Sequence, residues 1–231
     1  MPVTLLGDLV GSRRVADRAA VQEGLLAALA RVEEQVPARQ PLEPTVGDEF
    51  QATYDAVADA VRASLLLRLV LLPLVDTRYG LGLGGVTVFA AGRSPVSQDG
   101  PGWWAAREAI TQVSAREGRR ASARGTRTLL VDKSSEPWPQ AEPWPQAEPS
   151  EPPAAPGLAA ALNAHLLVRD EAVSLMGERA QRLLLGWLLG RTQTELAEQE
   201  GISQSAVSQS LGRSGAYALR DAQDALAGTP R

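Results

Sequence analysis

The chain reads as an α/β domain, an α+β sandwich with helices over a mainly antiparallel sheet, followed by an all-α domain with a helix-turn-helix. Three observations predict this. Over residues 1–132, short apolar strand-like runs interleave with longer stretches of helical period. Residues 133–157 then turn rich in Pro, Glu, Ser and Ala, and Glu136-Pro137-Trp138-Pro139-Gln140-Ala141 repeats at once as Glu142-Pro143-Trp144-Pro145-Gln146-Ala147. Beyond them, residues 158–231 have a helical texture with two cap residues either side of a glycine turn.

Residues 3–7 are an apolar strand run, and 17–36 a helix with Asp17 as N-cap and Val21, Leu25, Leu29 and Val32 on one face. Residues 42–46 and 50–54 form a hairpin around Gly47-Asp48-Glu49, followed by a strongly apolar helix over 55–72. Strands follow at 78–83 and 86–89, joined at Gly84-Gly85, then a helix over 103–117 and a last strand over 128–131. The prolines of 133–157 favour an extended, semi-rigid linker rather than folded core. Its tryptophans Trp138 and Trp144 are either groove-binding residues or part of an expanded loop. After it, short apolar helices are expected over 158–167, 170–175 and 180–189.

Composition bounds the chemistry. The chain has 231 residues with 44% hydrophobic content, enough for one large or two small domains with a real core. Cysteine is absent, which excludes disulfides, thiolate nucleophiles and cysteine-ligated zinc. The sole histidine, His165, sits in an apolar helical stretch and reads as a packing or surface residue. No apolar run approaches the ~20 residues of a membrane span, and the N-terminus lacks a basic-then-apolar signal pattern. A cytoplasmic protein is expected.

Two acidic turns carry the chemistry. In Leu5-Leu6-Gly7-Asp8-Leu9-Val10-Gly11-Ser12 an apolar run ends in a carboxylate and a small-residue turn. In Pro44-Thr45-Val46-Gly47-Asp48-Glu49-Phe50 the carboxylates fall at a hairpin tip. Carboxylates at neighbouring strand ends can jointly hold a hard cation. Mg²⁺ takes oxygen ligands and needs only one or two protein carboxylates, with phosphates and water completing the octahedron. Gly11 and Ser12 offer close backbone approach and N–H donors ahead of a helix, which suits phosphate. Gly-Asp is also ordinary turn chemistry, so Asp8 and Asp48 as mere turn-shapers stay in play. Arg116, Arg119, Arg120, Arg124 and Arg127 are five arginines within twelve residues. They are either a solvated face or phosphate contacts.

Gly7-Asp8-Leu9-Val10-Gly11-Ser12-Arg13 and Gly47-Asp48-Glu49-Phe50-Gln51 resemble the SatD family of bacterial proteins. More distantly, they resemble class III nucleotidyl cyclases and GGDEF domains. The resemblance continues through Arg78-Tyr79-Gly80-Leu81-Gly82-Leu83-Gly84-Gly85-Val86 and Gly102-Trp103-Trp104-Ala105-Ala106-Arg107 and spans residues 1–132. It implies a nucleotidyl cyclase-like palm in which Asp8 and Asp48 bind Mg²⁺ or Mn²⁺, with Glu49 auxiliary. Leu9, Val10, Gly11, Ser12, Arg13 and Gly47 would face the nucleotide, and Arg107 would be the transition-state arginine, supplied across a homodimer interface near Trp103 and Trp104. Two positions depart from the cyclase pattern. Trp103 stands where cyclases carry asparagine, and Pro44 where they carry the base-selecting lysine.

Residues 191–211 form the second motif. Thr192 or Thr194 caps a first helix, Leu196 and Ala197 face inward, Gly201 makes the turn, Ile202 plugs the core and Ser203 caps a second helix. Val207 and Leu211 bury at four-residue spacing. Ser203, Gln204, Ser205, Ser208, Gln209 and Arg213 are left for base edges and phosphates. The pattern resembles the helix-turn-helix of sigma-like and MarR-like regulators and implies DNA as a partner. Charge runs against it: residues 158–231 carry seven arginines and eight acidic residues, a net of −1, where DNA-binding domains normally show a basic footprint.

The domains expected are therefore a palm at 1–132, a linker at 133–157 and a helix-turn-helix domain at 158–231. The function expected is a nucleotide-responsive, DNA-binding transcriptional regulator that binds a nucleotide or cyclic nucleotide and assembles as a homodimer. An active Mg²⁺-dependent nucleotidyl cyclase or NTP-cleaving enzyme is the alternative. A non-catalytic scaffold is the third reading.

Overall fold

The computed structural model describes residues 1–12, 15, 17–45, 47–90, 97–117, 125–138 and 157–228. Its centre is a five-stranded sheet of order β2-β3-β1-β4-β7. The strands are β1 (Val3–Leu9), β2 (Gln40–Pro44), β3 (Glu49–Tyr54), β4 (Thr77–Leu83) and β7 (Thr128–Asp132). All pairs are antiparallel except β4–β7.

Alternation along β1 explains the layers, since successive side chains of a strand point to opposite faces. Val3, Leu5 and Leu9 enter the main core together with residues of α1 (Arg18–Gln35) and α2 (Val57–Leu71). Leu6 points the other way and packs with Trp103, Ala106 and Ile110 of α3 (Pro101–Glu117). Asp8 shares the α3 face with Leu6. Helix α3 lies very close to β4: a Cβ on Gly80 would stand 2.0 Å from the Ala106 carbonyl oxygen, and one on Gly82 2.0 Å from that of Gly102. Glycine is required there by contact with backbone, which cannot rotate away.

The expected elements of the first half are present, with corrections. Asp17 does cap α1, accepting from the Ala20 N–H at 2.9 Å. Gly84-Gly85 does not close a hairpin, because β4 pairs with β1 and β7. Instead β5 (Thr87–Ala90) pairs with β6 (Ser97–Asp99), a strand the sequence did not announce, in a separate two-stranded sheet. Trp103 is buried core, whereas Trp104 is exposed at the surface. The start of the proline-rich stretch is packed rather than extended into solvent. Trp138 meets Trp104 edge-on at 4.9 Å between ring centroids and donates from its indole N–H to Thr87 Oγ1 at 2.9 Å.

The second half is all helix among the described residues: α4 (Leu158–Leu175), α5 (Glu178–Leu188), α6 (Gln193–Glu200), α7 (Gln204–Arg213) and α8 (Ala216–Leu226). The two short helices expected over 158–175 are one helix, α4. Its Leu162, Leu166 and Val173 belong to the same apolar core as the sheet, α1 and α2. Asn163 clamps it to β7, accepting from the Leu130 N–H and donating to the Leu130 carbonyl, both at 2.8 Å. Helices α5 and α8 also pack on α2. The helical half is therefore built onto the sheet half along α2 and β7. No helix among the described residues is long and apolar enough to cross a membrane.

Candidate functional site

Strand register assembles the acidic edge. Asp8 lies directly opposite Glu49 on β3 and Arg78 on β4. Arg78 grips Asp8 Oδ2 from two nitrogens, Nε at 2.8 Å and Nη2 at 2.5 Å. Arg107, from α3, makes a forked pair with Glu49 of the same chain at 2.7 and 2.8 Å. Ser12 Oγ donates to Asp48 Oδ2. Each of the three carboxylates thus has a partner.

These pairs differ in strength. The Arg107 and Glu49 side chains are 53% and 34% exposed, and an ion pair so wet contributes about 0–1 kcal/mol. It can open to a better anion at little cost. Arg78 and Asp8 are 18% and 17% exposed, so that pair is better shielded. Burial pushes the Asp8 carboxyl above the usual carboxylate range. The Arg78 guanidinium opposes this, and the Asp48 and Glu49 carboxylates reinforce it. Asp8 therefore feels both residues of the hairpin tip. Among the described residues no three carboxylate or imidazole groups converge on one metal position.

The structure places the remaining expected residues unevenly. Gly11 and Gly47 adopt left-handed φ of +71° and +78°, as tight turns require. Leu9 is buried in β1, opposite Thr77. The Val10 N–H donates to the Asp76 carbonyl at 2.8 Å and so ties the end of β1 to the residue before β4. Ser12 stands ahead of α1, which starts at Arg18, and its carbonyl accepts from the Val15 N–H at 3.3 Å. Arg13 lies outside the described residues, as do Arg119, Arg120 and Arg124. Arg127 is no solvated cation: its Nε donates to Asp76 Oδ2 at 2.6 Å.

That contact belongs to an array of alternating charge that sequence reasoning missed. Arg78 Nη1 reaches from Asp8 to Glu117 Oε2 at 3.1 Å, and Glu117 Oε1 lies 3.7 Å from Arg127. Asp76 takes Arg127 on one oxygen and Arg68 Nε on the other at 2.9 Å. Arg68, 1% exposed, donates to the Asp170 carbonyl at 3.0 Å and to Ser174 Oγ at 2.8 Å. Asp170, fully buried in α4, accepts from the Arg127 N–H at 2.8 Å and from Arg169 at 2.8 and 3.0 Å. The array runs unbroken from the acidic edge to α4. The only signal in the sequence was Arg68 inside the apolar run Leu65–Leu72, since a cation there demands a buried anion.

In the helical half, Thr192 and Glu195 form a capping box at the start of α6. Gly201 turns the chain at φ +64°, and Ser203 Oγ caps α7, accepting from the Ala206 N–H at 3.2 Å. Leu196, Ala197, Val207 and Leu211 are buried as expected. Ser203, Gln204, Ser205, Gln209 and Arg213 are exposed on α7 and its cap, while Ser208 is half-buried, 3.5 Å from the Tyr217 hydroxyl.

Comparison with known proteins bears on the sheet half. Residues 2–125 match the SatD family. The chain belongs to the SatD family. The match takes in both acidic turns, β4 and α3 of this SatD protein. No curated protein matches it. Among solved structures, one bacterial light-regulated adenylyl cyclase is similar at 16% identity over 51% of this chain and 40% of its own, with a TM-score of 0.40. Another bacterial light-regulated adenylyl cyclase is similar at 14% identity over 55% of this chain and 73% of its own, also with a TM-score of 0.40. The SatD chain thus spans less than half the length of the first of these.

Proposed function

We propose that this SatD protein is a nucleotide-responsive regulator whose sheet half binds a nucleotide and whose α6–α7 pair contacts DNA. One observation carries the reading: the charge array that starts at Asp8 and ends in α4, the helix that leads into α5–α8. A ligand that competes for Asp8 or Arg78 acts on one end of that array. Coupling needs only different affinities for two arrangements of it.

The donors at the acidic edge suit Mg²⁺ or Mn²⁺ held by Asp8 and Asp48. Such an ion needs only one or two protein carboxylates when phosphate oxygens complete its shell. Bound there, it would supply positive charge beside the phosphates. Arg78 would then be released towards Glu117, which it already touches. Arg107 would exchange its wet pair with Glu49 for phosphate oxygens, to which a guanidinium offers a planar fork. Ser12 would orient Asp48. The buried Trp103 presents only an indole N–H, a donor without an acceptor, where cyclases place asparagine, so turnover is not the reading favoured here. On α7, Gln204, Ser208 and Gln209 would read base edges, with Ser205 and Arg213 on phosphates.

A non-catalytic scaffold is the second reading, and the internal Asp8–Arg78 and Glu49–Arg107 pairs favour it. The test is calorimetric titration of the full chain with nucleoside triphosphates and cyclic dinucleotides, with Mg²⁺ or with chelator, beside a product assay. Metal-dependent binding without turnover is the expected result. No binding to any nucleotide leaves the scaffold, and steady turnover makes the protein an enzyme.

A further inference from the structure

Among the described residues, four buried polar atoms without partners line one small cavity, away from the acidic edge. Gln40, at the start of β2, and Thr53, on β3, are each 3% exposed and lie opposite one another. Gln40 donates its Nε2 to Glu43 at 2.9 Å, which leaves its Oε1 unmet. Among the described residues, Thr53 Oγ1 and both amide atoms of Gln98, on β6, also have no partner. Together with Pro2, Arg39 and Val86 these side chains line a cavity of about 30 Å³.

Nearly all buried polar side-chain atoms in folded proteins are hydrogen-bonded. Four exceptions around one cavity mark a place where something else completes the bonds. A space of this size holds a water, for which about 10–15 Å³ suffices, or the edge of a larger group. The donor set favours the edge. Gln98 presents a free donor and a free acceptor side by side, the pairing a carboxamide uses bidentately on a base. Gln40 adds an acceptor, and Thr53 adds a hydroxyl that serves as either. Pro2 and Val86 supply apolar surface for a ring. The position agrees as well. Glu49, Gln51 and Thr53 alternate along β3 and so share one face, with Thr53 about 13 Å from Glu49 at the usual strand rise. That is a span a nucleoside triphosphate covers.

We propose that Gln40, Thr53 and Gln98 form a base-edge subsite. It receives the amide-like edge of a nucleobase while the phosphates of the same nucleotide lie at Asp8, Asp48 and Arg107. This rests on the nucleotide reading above and adds the determinant of base choice.

The test separates the two ends of the ligand. Tripolyphosphate with Mg²⁺ probes the phosphate end alone, and the four nucleoside triphosphates with Mg²⁺ probe both. The parent, Gln98→Leu and Thr53→Val are titrated calorimetrically, with thermal midpoints as the check on folding. The parent is expected to bind one triphosphate at least about tenfold more tightly than tripolyphosphate, the value of one to two hydrogen bonds. Both variants should lose that preference, keep tripolyphosphate affinity and melt no lower than the parent, since each removes an unmet buried polar group. If the parent binds tripolyphosphate and every triphosphate alike, the subsite is wrong while the phosphate site stands. If it binds none, both readings fall. Variants that keep the parent's base preference but melt lower assign the cavity to structural water and overturn the proposal.

Discussion

Removing the Asp76 carboxylate should be among the most damaging single changes to this protein. Asp76 accepts from Arg68 Nε at 2.9 Å, from Arg127 Nε at 2.6 Å and from the Thr77 N–H at 2.9 Å. Asp76→Ala leaves two guanidinium groups facing each other, one of them on the fully buried Arg68. Removing one partner of a buried ion pair costs about 3–5 kcal/mol. The lower end applies here, because the Asp76 side chain keeps 23% exposure and Arg68 retains Asp170. A loss of about 3 kcal/mol corresponds to roughly 6–12 °C in midpoint for a chain of this size. Urea denaturation and calorimetry measure it, and hydrogen exchange should show α4 losing protection first. A loss below about 1 kcal/mol, the value of an exposed pair, would refute the view that the array holds α4 to the sheet. The pH dependence follows with a definite sign. Burial alone would raise the Asp76 carboxyl, but Arg68 and Arg127 together hold it below the usual range. Its stabilisation is therefore complete above the ordinary carboxylate value and is lost as pH falls through the depressed one. Asp8 runs the other way: its raised carboxyl makes ionisation costly, so stability falls as pH rises between the ordinary and the raised value.

Other outcomes follow from single contacts. Gly80→Ala drives a methyl into the backbone of α3, 2.0 Å from the Ala106 carbonyl oxygen, and should cost about 1–3 kcal/mol by overpacking, read in urea. Asp48→Ala should abolish metal-dependent nucleotide binding in calorimetry while leaving the unfolding free energy within about 0.5 kcal/mol of the parent's, as for a surface change. Unchanged binding would remove Asp48 from the site. Gln204→Ala should weaken sequence-specific DNA binding by about 1–3 kcal/mol in a gel shift and relax one base position. Arg213→Ala should instead weaken all sequences alike and flatten the dependence on salt.

What the sequence made legible, and what it hid, divides along range. The helix α1, the hairpin with Asp48 at its tip and the caps of α6 and α7 were readable because each rests on neighbours a few residues apart. Helix α4 was read as two because Arg169-Asp170 interrupts an apolar run. Charge in a sequence looks like surface, and only the fold shows that Arg169 and Asp170 are buried against Arg68, Ser64 and Thr128. The Gly84-Gly85 turn misled for a similar reason. A glycine pair marks a reversal but not which strands pair afterwards. At the site, Asp8, Asp48 and Glu49 stood out by local pattern. Arg78 did not, because its meaning depends on lying across from Asp8 in the register of β1 and β4. Gln40, Thr53 and Gln98 were invisible, since they come from three strands in two sheets and have no spacing to read.

The most direct test of the regulatory account is DNA affinity of the full chain with and without nucleotide. A duplex enriched from genomic fragments is titrated by fluorescence anisotropy, with saturating Mg²⁺-nucleotide or with chelator, for the parent and for Asp48→Ala. The account predicts that nucleotide shifts the parent's affinity about 5–150-fold, the range of ordinary allosteric coupling, and that Asp48→Ala binds the duplex but no longer responds. An affinity the nucleotide leaves unchanged, or no enriched duplex at low salt, would contradict it.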